Sequence, residues 1–265
     1  MLAYLIALGL ACATLVLFVI YIITYKRVYI LDDNITYRVL ELRPNKHYAL
    51  KLLYDLNHKT LSLIKYIKNK YNDRLINYRA KHESNLAGDF AKTLYGEIQH
   101  AAKSVSDVTD IPKVTMPMLP KIEDVPEIDD CTECVSLILQ NYNPDLLVEN
   151  DPIFTIGDKT YTLNFKRIAI CLRRKNWEFY DFNTLMFVFL HEIAHTGTHS
   201  RYLMVDGRRE NHPPMFWRVF KFLLSNAVEF GIIAPIDYNQ KNYVTYCGID
   251  IQNNPLFDRS VEPLI

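Results

Sequence analysis

Apolar residues along this chain recur with different periods in different stretches, and each period predicts an element. Residues 2–25, LAYLIALGLACATLVLFVIYIITY, carry no charge. As a helix rising about 1.5 Å per residue they would reach roughly 36 Å, enough to span a bilayer core of about 30 Å with some tilt. No Lys or Arg precedes the run, and its small residues Ala11, Cys12 and Ala13 lie in its middle, which favours a retained anchor over a cleaved leader. Lys26 and Arg27 follow it directly, so the positive-inside rule puts the C-terminal part on the cytoplasmic side. The expectation is a single-pass membrane protein.

Beyond the anchor, Asn45 is placed to cap a helix over 46–71 in which Ala49, Leu53, Leu56, Thr60, Leu63, Ile64 and Ile67 recur at helical spacing. Its lysines read as a solvated outer face. A weaker helical pattern covers 86–103, and Pro112, Pro117, Pro120 and Pro126 mark an extended connection. Short β patterns follow at Thr160–Leu163 and at Arg167–Arg173, where Ile168, Ile170 and Leu172 alternate. The division expected is an anchor at 1–25, a helical region at 26–110, a connection at 111–150 and a folded domain at 151–265.

Composition narrows the function classes. Thirty basic and thirty acidic residues give a formal charge of zero, without the broad positive field of a nucleic-acid-coating protein, so no nucleic-acid partner is expected. Only eight glycines are present, and no glycine-rich phosphate loop can be found among them. The five cysteines, Cys12, Cys131, Cys134, Cys171 and Cys247, are too sparse for a disulfide-built domain and fit a reducing compartment. Cys131 and Cys134 form a CxxC without a second pair to complete a zinc site.

The chemistry concentrates at residues 191–195, His-Glu-Ile-Ala-His, behind the apolar run LMFVFL. Asp181 or Asn183 can cap this helix of roughly thirteen residues, and Gly197 can stop it. His191 and His195, four apart, project from one helical face and can offer two neutral imidazoles to one tetrahedral Zn²⁺. Glu192 sits one residue round, beside the ion, where it can take a proton from an activated water and pass it to a leaving amine. A third ligand is required, and four residues compete. His199 continues the series past the helix end; Glu210 lies in a polar loop; His212 precedes Pro213 and Pro214 at the opening of the next helix; Glu229 lies late on that helix, where a thermolysin-like arrangement would take it. The metzincin spacing fails, because Thr198 and Arg201 stand where its Gly and third His belong. The helix after His212 carries Phe216, Trp217, Val219, Phe220, Leu223 and Leu224 on a face built to pack.

HEIAH followed by a loop and HPPMFW resembles the zinc metallopeptidases of the SprT-like, WLM and YgjP-like groups. It looks closest to WLM-type proteins of large DNA viruses, in which an anchor, a strand ending in ICLR, the HExxH helix and a Tyr-Cys-Gly segment follow in that order. Here the last three are Ile170–Arg173, the pentad, and Tyr246-Cys247-Gly248. The resemblance covers about residues 150–255, and the longer charged loop between His195 and His212 departs from it. It implies His191, His195 and His212 as zinc ligands, Glu192 as the base, and a virion or host-cell membrane as the location. The fold expected is α+β, with an N-terminal transmembrane helix, a helical middle region and a zincin-like domain whose small antiparallel sheet packs on the HExxH helix. The function expected is membrane-anchored hydrolysis of protein or peptide substrates. Tyr246 and Tyr202 are candidates to polarise the scissile carbonyl, and the strand through Ile170 is a candidate to pair with an extended peptide. A non-catalytic protein with a structural zinc is the competing reading, and its sign would be Cys247 or His199 closing the fourth coordination position. A DNA-associated SprT-like protease is disfavoured by the anchor and the zero net charge.

Overall fold

The computed structural model describes residues 2–72, 130–153, 160–163, 166–198, 204–205, 208–239 and 242–264. The chain divides into two compact units, Met1–Ile67 with Cys134–Ile265, and Lys68–Glu133. The helical pattern expected over 86–103 and the proline-rich stretch at 104–129 lie outside the described residues.

The first unit is organised on a five-stranded sheet. Helix α1 (Leu2–Thr24) leads into β1 (Lys26–Ile30) and β2 (Thr36–Leu40), and α2 (Lys46–Lys70) follows. After α3 (Asp130–Asn141) come β3 (Leu146–Glu149), β4 (Tyr161–Leu163) and β5 (Arg167–Ile170). The strand order is β1-β2-β3-β5-β4. Its two outer pairs are antiparallel, whereas β2 with β3 and β3 with β5 run parallel. The expected small antiparallel sheet is therefore corrected: β4 and β5 do pair antiparallel, but the sheet continues through parallel neighbours drawn from residues 36–40 and 146–149. Leu147, Val148 and Glu149 are buried in succession, as are Ile168, Ala169 and Ile170. Consecutive burial means that both faces are covered, as parallel strands require, and such short runs lack the alternation that identifies a half-exposed strand.

The anchor is corrected as well. Among the described residues no helix is long and apolar enough to cross a membrane. The single-pass localisation falls with it.

Helix α2 matches its periodicity closely, burying Ala49, Leu52, Leu53, Leu56, Asn57, Thr60, Leu63 and Ile67, with Ile64 half-buried. Within the stretch read as a connection, α3 buries Cys134, Val135 and Ile138.

An ion pair with both side chains fully buried closes the sheet at one end. Arg173 Nε donates to Glu149 Oε1 at 2.7 Å, and Arg173 Nη1 donates to the Pro44 carbonyl at 2.6 Å. Glu149 Oε2 accepts the Leu40 amide at 2.9 Å. The guanidinium also lies over the Phe179 ring, 4.0 Å from its centroid. Burial pushes the Glu149 carboxyl above its ordinary range, against the pull of Arg173 and the Leu40 amide. This pair gives the ICLR segment a structural purpose, because its Arg locks the ends of β2, β3 and β5 together.

A candidate metal centre on two buried helices

The HEIAH segment lies on α4 (Phe182–Gly197), which begins at Asp181. Asp181 Oδ1 accepts the Thr184 amide at 2.9 Å and Oδ2 accepts the Thr184 hydroxyl at 2.7 Å, satisfying two donors at the helix start. From Thr184 to Gly197 every residue is buried except His191 and His195, which are half-buried. A helix apolar on all sides belongs in a core, and this one surfaces only where its two histidines stand. The helix ends at Gly197, as expected, but the glycine serves packing and does not adopt a positive φ. A Cβ there would sit 2.6 Å from Ile138 Cγ1 and 3.0 Å from Val219 Cγ1, so glycine permits the close approach of α3 and of α5 (Pro214–Glu229), the helix that follows the site. The helix cap is Thr198, whose amide donates to the His195 carbonyl.

The loop between the two helices contains a small hairpin, β6 (Met204–Val205) with β7 (Arg208–Arg209). It returns the chain to His212, which precedes the Pro213–Pro214 opening of α5. This brings three imidazoles together. Their ring centroids form a nearly equilateral triangle, 5.1 Å from His191 to His195, 4.9 Å from His191 to His212 and 5.0 Å from His195 to His212. Each offers one nitrogen, and these nitrogens lie within 4.8 Å of one another. His191 Nε2 and His212 Nε2 are 3.1 Å apart; two nitrogens on one tetrahedral zinc at about 2.05 Å would be about 3.3 Å apart. Phe216 is the floor beneath all three, with centroids 4.9 Å from His191, 4.5 Å from His195 and 4.6 Å from His212.

Burial, and then the neighbouring imidazoles, lower the His191 pKa to about 3 and that of His195 to about 4. Burial lowers that of His212 as well. Neutral rings keep a lone pair for a metal, so the donor set fits a zinc ion.

Glu192 is buried beside the triangle. Its side-chain Oε2 lies 3.1 Å from Thr162 Oγ1, and its carbonyl oxygen lies 3.2 Å from the same hydroxyl. Thr162 is in register with Ile168 on β5, and through it with Leu147 and Tyr37. The sheet thus positions the carboxylate through its edge strand. Sequence reasoning missed Thr162, whose importance arises from a strand pairing that no local pattern announces.

The other candidates separate from the triangle. Glu229 is at the far end of α5, fifteen residues beyond Pro214 and so about 22 Å along the helix, where its carboxylate accepts the Tyr66 hydroxyl at 2.6 Å. Glu210 is exposed and stands outside the three-histidine group. His199 and Tyr202 lie outside the described residues. Tyr246 is buried with its hydroxyl donated to the Cys171 carbonyl at 2.8 Å, and burial pushes its pKa up. Ile170 lies on β5, which is flanked by β3 and β4, so the edge next to the centre is β4.

Cys171 and Cys247 form a disulfide, which the sparse cysteine count did not suggest. It ties the end of β5 to the turn between β8 (Val244–Tyr246) and β9 (Ile249–Ile251), where Cys247 and Gly248 both adopt positive φ. In the chain-entropy view, closing a loop with 76 residues of separation is worth about 4–5 kcal/mol. It also removes Cys247 from the possible metal ligands.

About a third of the chain is similar to uncharacterized proteins of large DNA viruses. One from Acanthamoeba polyphaga mimivirus is 34% identical over 92 residues, 34% of this chain and 42% of that protein. One from Invertebrate iridescent virus 6 is 36% identical over 90 residues, 33% of this chain and 46% of that protein. One from Invertebrate iridescent virus 3 is 36% identical over 100 residues, 37% and 57% of the respective lengths. The chain thus spans about half the length of the curated relatives it matches, and the viral kinship is the part of the resemblance that these relatives bear out. No family model matches the chain, and no solved structure matches it.

Proposed function

We propose that the chain is a zinc-dependent metallopeptidase in which His191, His195 and His212 hold the ion and Glu192 is the general base and acid. The observation that carries this reading is the triangle of imidazoles, with ligand nitrogens within 4.8 Å of one another, next to a carboxylate held by the sheet edge. A zinc ion on such a site supplies Lewis acidity and lowers the pKa of a water toward 7. The Glu192 carboxylate would accept a proton from the attacking water and deliver it to the departing amine nitrogen. The Thr162 hydroxyl fixes the carboxylate against α4, so that the lone pair needed for this transfer has a set direction. Phe216, itself buried, packs against all three rings. Among the described residues β4 is the outer strand of the sheet, and its Thr162 touches Glu192, so an extended peptide would pair there.

The test is hydrolysis of a mixed peptide library by the full chain loaded with zinc, read by mass spectrometry, beside Glu192→Gln. The expected result is cleavage by the parent, and by the variant a loss of about 10²–10⁴-fold with zinc retained. Equal cleavage by both proteins would overturn the role of Glu192. No cleavage by a parent that holds zinc would favour the competing structural-zinc reading.

A further inference from the structure

A cavity of about 670 Å³ opens beside the metal centre and shares His212 as a wall. Its size is that of a site for a small ligand or a substrate side chain with its neighbours. The helix α5 contributes Trp217 and Arg218 to the lining, the loop before His212 contributes Glu210, and the C-terminal segment contributes Asp258 and Glu262. That segment is a fixed wall. Lys221 Nζ, on α5, donates to the Asp258 carbonyl at 2.9 Å and to the Val261 carbonyl at 2.7 Å. Asp258 Oδ1 accepts the Ser260 amide at 2.8 Å and the Ser260 hydroxyl at 2.6 Å. These bonds hold the Asp258 carboxyl below its ordinary range, so it is charged at neutral pH.

The lining carries three exposed acidic residues and one arginine, and with the Lys221 ammonium on the Asp258 and Val261 carbonyls the balance is one excess negative charge, in a chain whose overall charge is zero. A concave surface with one excess sign focuses potential for the opposite sign. Indole is the best of the aromatic faces for a cation, and Trp217, half-buried, lies in the same lining. We infer that this cavity is a specificity pocket for a lysine or arginine side chain of the peptide substrate, seated beside His212 with Glu210 and Glu262 as its charge partners and Trp217 as its apolar wall. The inference rests on the peptidase reading for the meaning of its place next to the metal, but its binding chemistry can be measured separately.

The experiment uses the full chain carrying Glu192→Gln, which leaves a bound peptide intact. Three fluorescent decapeptides of alanine and glycine, each with one central Lys, norleucine or Glu, are titrated and followed by anisotropy. The expected ranking is Lys tightest, by about tenfold over norleucine, with Glu weakest. Adding Glu210→Gln and Glu262→Gln should bring the three peptides to within about twofold of one another. Equal binding of all three, no binding of any, or a ranking that survives the two substitutions would overturn the pocket. Cleavage by the Glu192-intact chain without preference for Lys would also overturn it and leave the peptidase reading standing. A Lys preference that disappears in the double variant, without cleavage by the Glu192-intact chain, would uphold the pocket and sink the peptidase reading.

Discussion

Two clusters of titratable groups lie within one unit, one fully buried and the other with His191 and His195 half-buried and His212 exposed, and they are stabilised in opposite ways. At Glu149 and Arg173, carboxylate meets guanidinium at 2.7 Å, with the Leu40 amide and the Pro44 carbonyl taking further bonds. That cluster pairs its opposite charges internally, although Arg173 Nη2 is buried without a hydrogen-bond partner. At His191, His195 and His212, like meets like, and the rings avoid charge because burial and mutual proximity keep them neutral. The first cluster holds the sheet together, whereas the second, in the function proposed above, leaves its ring nitrogens for a metal ion.

Breaking the self-contained cluster should have the largest effect. Arg173→Ala strands a buried carboxylate and is expected to cost about 3–5 kcal/mol of unfolding free energy, read by denaturant titration. Glu149→Leu together with Arg173→Met should recover most of that loss, because an apolar pair of similar volume avoids the desolvation cost. The histidine cluster should respond instead to its ligand. Zinc at about one hundred times its Kd is expected to add about 2.7 kcal/mol of stability to the parent, and calorimetry should find none of this gain in a His191→Ala/His195→Ala variant.

Acid should separate the clusters further. In the metal-free protein the folded-state pKa values of His191 and His195, about 3 and about 4, lie below the ordinary 6.5. The unfolded chain then binds more protons between these values, so the contribution of both histidines is fully present above pH 6.5 and declines as pH falls toward 4. Unfolding curves at stepped pH should show this decline in the parent, and a smaller one when both histidines are replaced. The smallest change is Thr162→Val. It removes the hydroxyl beside Glu192 Oε2, and hydrolysis should fall by several-fold, the worth of about 1 kcal/mol of hydrogen bond, with zinc content unchanged.

The two clusters also differ in how far the sequence announced them. His191, Glu192 and His195 were legible because helical geometry turns an i, i+4 spacing into a shared face, and His212 because a proline-started helix gave it a defined place. The Glu149–Arg173 pair joins strands in a parallel ladder, and no local period encodes which strands become neighbours. For the same reason β2 and β3 were hidden in stretches read as helical or connecting, and Thr162 was not seen to reach Glu192. Cys171 and Cys247 stood in segments already singled out, Ile170–Arg173 and Tyr246-Cys247-Gly248, but their pairing depends on docking a hairpin 76 residues away. The composition of residues 2–25 alone suggests a span, yet no described helix is long and apolar enough to cross a membrane.

The most direct test is the zinc content of the full chain by elemental analysis, for the parent, His212→Ala and Glu229→Ala. The three-histidine account predicts about one zinc per chain in the parent and in Glu229→Ala, with marked loss in His212→Ala. A folded parent without zinc, or a site that survives His212→Ala and is lost in Glu229→Ala, would contradict it.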